Sequence, residues 1–294
     1  MSATVRRLTH PAARAFDRAA RAYELGRPGY PPAALRHLLR VAGLGRGRTV
    51  VELGSGTGKL TRLLRPSGAA IVAVEPSGPM REVFGRAVPD VLVLEGTAER
   101  IPLPDGVADA VVAAQAFHWF QPRRALREIR RVLGPGGMLV GLWNVGDTRG
   151  PLALAVERLI DRFGGARPRR WQRWESAFEA PGSGFGRLRR VRFRHVVERS
   201  PEAAVAQALS VSRIAALPPA RRQELARELR GLLARARQGR ASTTLRVPTV
   251  TEVYWCRRAA RGRGLPGRRR RHSGAPRRSG RTSPAKGRPV RRRA

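Results

Sequence analysis

A short apolar, β-branched run, Thr49 to Leu53 (TVVEL), breaks directly into Gly54-Ser55-Gly56-Thr57-Gly58, and an amphipathic segment begins at Lys59. That is a strand, a glycine turn and a helix, and it admits few folds. The unit then repeats. Ala69 to Val74 ends in Glu75-Pro76-Ser77, where Pro and Ser suit the start of a helix running through Met80 and Val83. Val91 to Leu94 and Ala108 to Ala114 read as the third and fourth strands. Arg123 to Leu133 reads as a helix ended by a Gly-Pro-Gly-Gly turn at 134–137, and Met138 to Trp143 as a fifth strand. Strands that are almost wholly apolar and alternate with helices imply a parallel sheet covered on both faces. Ligands of such sheets bind at the carboxyl ends of the strands.

After Asn144 the pattern changes. Pro151 to Phe163 reads as a helix, Leu188 to Val197 as a strand, and Pro218 to Gln238 as a helix with Leu225, Leu229, Leu232 and Leu233 on one face. Leu245 to Trp255 reads as the last strand. The expected division is an N-terminal helical lid segment at 1–48, a Rossmann-like core at 49–145, a substrate-side elaboration with the final strands at 146–258, and an Arg-rich disordered tail at 259–294.

Three kinds of ligand loop compete for Glu52 to Lys59. A phosphate-binding NTPase loop needs four residues between its glycines and then Gly-Lys-Ser/Thr, whereas three separate Gly54 from Gly58 and Leu60 stands where the hydroxyl would be. A dinucleotide fingerprint wants Gly or Ala where Lys59 stands. The third reading accounts for the acid at the strand end: Glu52 suits a cationic ligand and would repel a pyrophosphate. Glu75, at the end of the next strand, suits the two hydroxyls of a ribose. A nucleoside bearing a sulfonium and an ammonium satisfies both acids.

With these residues in place, the sequence resembles the class I S-adenosylmethionine-dependent methyltransferases, in particular the bacterial UbiE and trans-aconitate-methyltransferase-like group (methyltransferase type 11). The resemblance rests on VELGSGTGKLT at 51–61, VEPSGPM at 74–80, EGTAERIPLPDGVADAV at 95–111, FHWF at 117–120 and LREIRRVLGPGGML at 126–139. It implies an α/β Rossmann-like sheet of seven strands, mostly parallel, with an antiparallel last strand, helices on both faces and a C-terminal helical elaboration. Thr251 to Arg257 is the candidate antiparallel strand.

The resemblance also implies S-adenosyl-L-methionine as cofactor. Gly54 and Gly56 would admit its methionine part, Glu52 would orient the amino group, Glu75 would hold the ribose and Met80 would pack on the adenine. Thr97 and Ala98 would line the adenine edge, although many members carry Asp where this chain has Thr97. Gln115 would lie near the methionine end. Phe16, Tyr23, Arg27, Pro28 and Tyr30 resemble a lid segment, with Tyr23 and Arg27 on the cofactor side and Arg27 able to pair with its carboxylate. Methyl transfer from a sulfonium needs alignment more than covalent chemistry. A general base helps only when the acceptor loses a proton, and His118 is the nearest candidate. The plainer reading makes Phe117, His118 and Trp119 walls of the acceptor pocket.

The expected partner is a small-molecule acceptor, with the methylated atom left open among O, N and C. An RNA-directed methyltransferase or a nucleic-acid-binding protein is the alternative that charge suggests, because the formal net charge is +38. The core lacks both an Asn/Asp-Pro-Pro-Tyr/Phe signature and a cysteine pair. Cys256 is the single cysteine, so no internal disulfide can form, and a cytoplasmic location is expected. No apolar run is long enough to cross a membrane, no secretory signal is expected, and no His or Cys spacing suits a metal. From Arg257 to Ala294 there are 16 Lys and Arg and no acid. Such a stretch cannot bury enough apolar surface to fold alone, and it could bind nucleic acid or an anionic surface without sequence preference.

Truncation after Arg258 is therefore expected to leave the melting temperature and cofactor affinity unchanged while weakening salt-sensitive retention on a polyanion column. Unfolding of the truncated chain would contradict this boundary.

Overall fold

The first strand of the alternation lies inside the sheet, between its second and fourth partners. The structure, a computed structural model, describes residues 28–165, 174–180, 182–237 and 244–260. Residues 1–260 form one unit and residues 261–294 another. The latter holds most of the proposed tail and lies outside the described residues, as do Phe16, Tyr23 and Arg27.

Strands β1 (Thr49–Leu53), β2 (Ala70–Val74), β3 (Leu92–Leu94), β4 (Ala108–Ala114), β5 (Leu133–Gly146), β6 (Arg189–Arg199) and β7 (Leu245–Arg257) form one seven-stranded sheet in the order β3-β2-β1-β4-β5-β7-β6. β1 pairs in parallel with β2 and β4, β2 with β3, and β4 with β5. β7 is inserted antiparallel between β5 and β6. The fold is therefore the Rossmann-like arrangement with one reversed strand.

Alternate residues explain why the central strands are apolar throughout. Val51, Leu53, Val111, Ala113 and Leu139 join one buried cluster with Ala125, Leu126, Ile129 and Val132 of helix α4 (Pro122–Val132). Val50, Ala110, Val112, Val140 and Leu142 join a cluster on the other face with Ala34 and Leu38 of α1 (Pro32–Ala42). Each fully buried Val or Leu contributes roughly 1.5–3 kcal/mol. Helices α2 (Lys59–Leu64) and α3 (Gly78–Ala87) follow β1 and β2. Ser77 caps α3 by accepting the Met80 N–H at 3.3 Å.

Beyond β5 come α5 (Pro151–Gly164), the single turn α6 (Ser176–Glu179), α7 (Pro201–Leu209), α8 (Ser212–Ala215) and α9 (Pro219–Arg237). Phe163, Val205, Ile214, Leu225, Leu229 and Leu233 form the shared core of α5, α7, α8 and α9, while Phe178 of α6 joins the cluster under α4. The buried face of α9 departs from expectation at one place, where Ala226 is buried and Leu232 is only partly covered.

The Gly-Pro-Gly-Gly segment departs further. It is not a turn ahead of a strand, because β5 already starts at Leu133. Ala108 pairs with Leu133 and Ala110 with Met138, so the four residues form a bulge on the β5 side. Close approach requires glycine there: a Cβ on Gly137 would lie 3.0 Å from the Gly134 carbonyl and 3.1 Å from that of Asp109. Among the described residues no helix is long and apolar enough to cross a membrane.

Gly58 has φ +81, and a Cβ there would meet Val88 Cγ2 at 2.9 Å and Phe84 Cδ2 at 3.0 Å. Gly58→Ala is expected to cost roughly 1–3 kcal/mol in denaturant unfolding. Gly85→Ala, on a helix site where nothing lies within 4 Å, should be neutral or stabilising by up to about 1 kcal/mol. Equal effects of the two substitutions would contradict the packing described.

Candidate active site

The carboxyl ends of β1 and β4 and the distal part of β5 open into a cleft that communicates with solvent. Its floor comes from Glu52, Gly54 and Ser55, with Lys59 and Leu60 of α2 alongside. Ala114, Gln115 and Asn144 form one wall. Pro28, Tyr30 and Gln207 of α7 close the remainder.

The glycine loop takes its shape from its ends. Gly54, Gly56 and Gly58 all have positive φ, a region that costs other residues strain. Gly54 N–H donates to the Val74 carbonyl at 2.8 Å, and a Cβ on Gly54 would approach Ala116 Cβ to 2.8 Å. The loop is thus tied to β2 and pressed against the exit of β4. Glu75 completes the clamp. Its Oε2 accepts the Gly56 N–H and its Oε1 the Ser77 N–H, both at 2.9 Å. Arg81 joins the ends of β2 and β3 by donating to the Glu75 carbonyl at 2.9 Å and the Glu95 carboxylate at 2.8 Å.

Glu52 is 1% exposed, and its Oε2 accepts the Thr61 hydroxyl at 2.5 Å. Burial pushes its pKa up to about 8 despite that bond, and the nearby Glu75 carboxylate adds to the rise. A carboxyl in this state takes a proton near neutrality and ionises when a positive charge comes close. Among the buried side-chain atoms of the described residues that lack a hydrogen bond are Ser55 Oγ, in the glycine loop, and Thr97 Oγ1, in the loop after β3.

Gln115 is the one non-glycine among the described residues with positive φ, at 55°. Such a conformation costs on the order of 1–3 kcal/mol, and its own bonds hold it. The backbone N–H donates to the Leu142 carbonyl at 2.8 Å, and Nε2 donates to the Asn144 carbonyl at 3.2 Å.

The segments 95–111 and 126–139 are physically one unit. Arg131 donates to the carbonyls of Ile101 and Leu103 and to Asp105 and Glu128, while Glu128 Oε2 accepts the Ile101 N–H at 3.0 Å. These bonds fix the loop that carries Thr97 and Ala98, both buried. Met80 is buried at the start of α3.

The aromatic segment divides. Phe117, expected in a pocket wall, is 1% exposed and packs on Phe120, Trp174 and Phe178 with ring centroids 5.2, 5.2 and 5.5 Å away. It is a core residue because Trp174 and Phe178 arrive from the chain beyond β5 to cover it. His118 Nδ1 accepts the Trp143 indole N–H at 3.2 Å, which in the neutral ring puts the proton on Nε2. Trp119 lies partly buried beside the imidazole, 5.1 Å between centroids.

Asn144, Lys59, Ser55 and Gln207 also line the cleft, although the sequence does not mark them as site residues. Asn144 had a readable signal, since a polar residue ending an apolar strand marks Glu52, Glu75 and Gln115 as well. Gln207 had none.

Residues 51–141 match the family model described as a methyltransferase domain. An uncharacterized methyltransferase of Mycobacterium tuberculosis is 47% identical over 149 residues, 51% of this chain and 60% of the relative. The chain therefore aligns with less than two thirds of that relative's length. An uncharacterized methyltransferase of Schizosaccharomyces pombe is 34% identical over 208 residues, covering 70% of this chain and 82% of the relative. Among solved structures, an Anaeromyxobacter dehalogenans protein assigned as a type II methyltransferase aligns with a TM-score of 0.60 at 25% identity, over 80% of this chain and 99% of that one.

Because the pKa of Glu52 is raised from 4.5 to about 8, the folded state holds its proton more tightly than the unfolded chain. Its contribution to stability is fully present below pH 4.5 and lost as pH rises through 8. Unliganded protein should lose up to about 1 kcal/mol per pH unit across that window from this group. Glu52→Gln should flatten the profile by that amount in urea unfolding between pH 5 and 8, and parallel profiles would contradict the assignment.

Proposed function

The chain belongs to the class I methyltransferase family, and from that premise we propose that it binds S-adenosylmethionine in the cleft and transfers the methyl group to a small-molecule acceptor. The observation that carries this reading is the pair of buried carboxyl groups, Glu52 and Glu75, on either side of a glycine loop that leaves no room for a Cβ at Gly54.

The residues present fit that cofactor. Glu75 is held by two backbone N–H groups, and a carboxylate has about four acceptor directions, so accepting two ribose hydroxyls is compatible with its anchoring. Glu52 would ionise against the cofactor's positive charge. Ser55 Oγ and Thr97 Oγ1 would gain the hydrogen bonds that they lack within the protein; at Thr97 a hydroxyl would stand in for the carboxylate of many relatives. Met80 and Ala98 would supply apolar surface to the base. When bound, S-adenosylmethionine supplies an electrophilic methyl group on a sulfonium leaving group.

The protein's part is then positional and electrostatic. Gln115 borders the cleft at the end of β4 and would orient the acceptor toward the methyl group. His118 is the candidate to position the acceptor or, where the acceptor loses a proton, to act as its base. Tyr30 and Pro28 narrow the cleft on its N-terminal side and would limit water entry, with Tyr23 and Arg27 as candidates for the rest of that lid.

S-adenosylhomocysteine is expected to raise the melting temperature while NAD and ATP leave it unchanged. Glu75→Ala should weaken S-adenosylhomocysteine binding by about 1.5–3 kcal/mol, the scale of hydrogen bonds to a charged group. Equal stabilisation by NAD, or an unchanged dissociation constant in folded Glu75→Ala, would overturn the proposal.

A further inference from the structure

Asn144 makes more connections than a cleft-wall residue requires. Its Nδ2 donates to the Gly29 carbonyl at 2.9 Å and lies 3.4 Å from that of Pro28. Its Oδ1 accepts the Thr251 hydroxyl at 2.6 Å. Its backbone carbonyl accepts Gln115 Nε2 at 3.2 Å. Thr251 is fully buried in β7 and pairs with Asn144 across the antiparallel ladder. One side chain thus joins the reversed final strand to the backbone of the N-terminal segment, while its own main-chain carbonyl receives the strained residue after β4. Pro28, Gln115 and Asn144 all line the same cleft as Glu52.

We propose that Asn144, oriented by Thr251, is a positioning residue that fastens the Pro28–Gly29 backbone across the cleft. The consequence for the cofactor rests on the reading of the cleft given above; the latch itself does not. An amide suits the task because it donates through nitrogen to the Gly29 carbonyl while accepting through oxygen from Thr251. A carboxylate at this position could still accept from Thr251 but would face the carbonyls of Pro28 and Gly29 with no donor. Valine at 251 would keep the shape of threonine and remove the hydroxyl that sets the amide's orientation. Thr249, two residues away in β7 and also buried, donates instead to the Val247 carbonyl of its own strand. It provides the matched control.

The test uses the full chain, with Asn144→Asp, Thr251→Val, their double variant and Thr249→Val. Hydrogen exchange of the peptide spanning Gly29 to Leu35 and the dissociation rate of S-adenosylhomocysteine are measured on each, alongside the melting temperature of the unliganded protein. Asn144→Asp should lose protection in that peptide and release S-adenosylhomocysteine at least tenfold faster, with Thr251→Val in the same direction. The double variant should be no worse than Asn144→Asp alone, because both act through one side chain, and Thr249→Val should match the parent. A merely structural role would lower the melting temperature in proportion and give additive effects. Unchanged exchange in folded Asn144→Asp overturns the latch, as does a normal Thr251→Val should the aspartate variant not fold. Lost protection with an unchanged release rate overturns the positioning role. If the parent chain binds no S-adenosylhomocysteine, the cofactor reading fails, and the exchange data still decide the latch.

Discussion

A carboxyl group cannot be sealed beneath an active-site cleft without a reason, because burial penalises its charge and leaves its oxygens in need of donors. Glu52 meets the second demand through the Thr61 hydroxyl and the first by holding a proton up to about pH 8. The rest of the site is organised around that compromise. β1 must end at Leu53 for Glu52 to lie under the cleft. The loop that follows must turn through glycines to stay clear of Ala116, and Glu75 must reach back to Gly56 to hold the loop down. On the proposed reading, the energetic cost of the buried acid would be offset when a cationic cofactor enters.

The parallel sheet supplies the geometry. β1, β4 and β5 lie side by side, so a polar residue at each carboxyl end reaches one cleft without any long loop. Glu52, Gln115 and Asn144 are those residues. β7, running the other way, brings Thr251 up behind Asn144. The aromatic stack of Trp143 on Trp174, 4.5 Å between centroids, fills the opposite face. It leaves His118 joined to Trp143 at the edge of that stack.

Much of this was legible in the chain because it is local. A strand that ends in an acid before a glycine loop can be read from eight residues, and the spacing to Glu75 adds the second acid. The amphipathic helices and the reversed last strand follow from periodicity and resemblance. What escaped depends on partners distant in sequence. Phe117 reads as a pocket wall until Trp174 and Phe178 arrive to bury it. Asn144 reads as a strand end until Gly29 and Thr251, 115 and 107 positions away, bond to it. The glycines at 134–137 read as a turn because their role as a bulge exists only against Ala108 and Ala110.

The central claim, that Glu52 keeps a proton until a cationic cofactor displaces it, is tested most directly by counting protons. Calorimetric titration of S-adenosylmethionine near pH 7, in two buffers of different ionisation enthalpy, should show net release of up to about one proton on binding, as linkage requires. Glu52→Gln should bind with that release abolished. Binding by the parent chain with no change in protonation, or identical release by Glu52→Gln, would contradict the account.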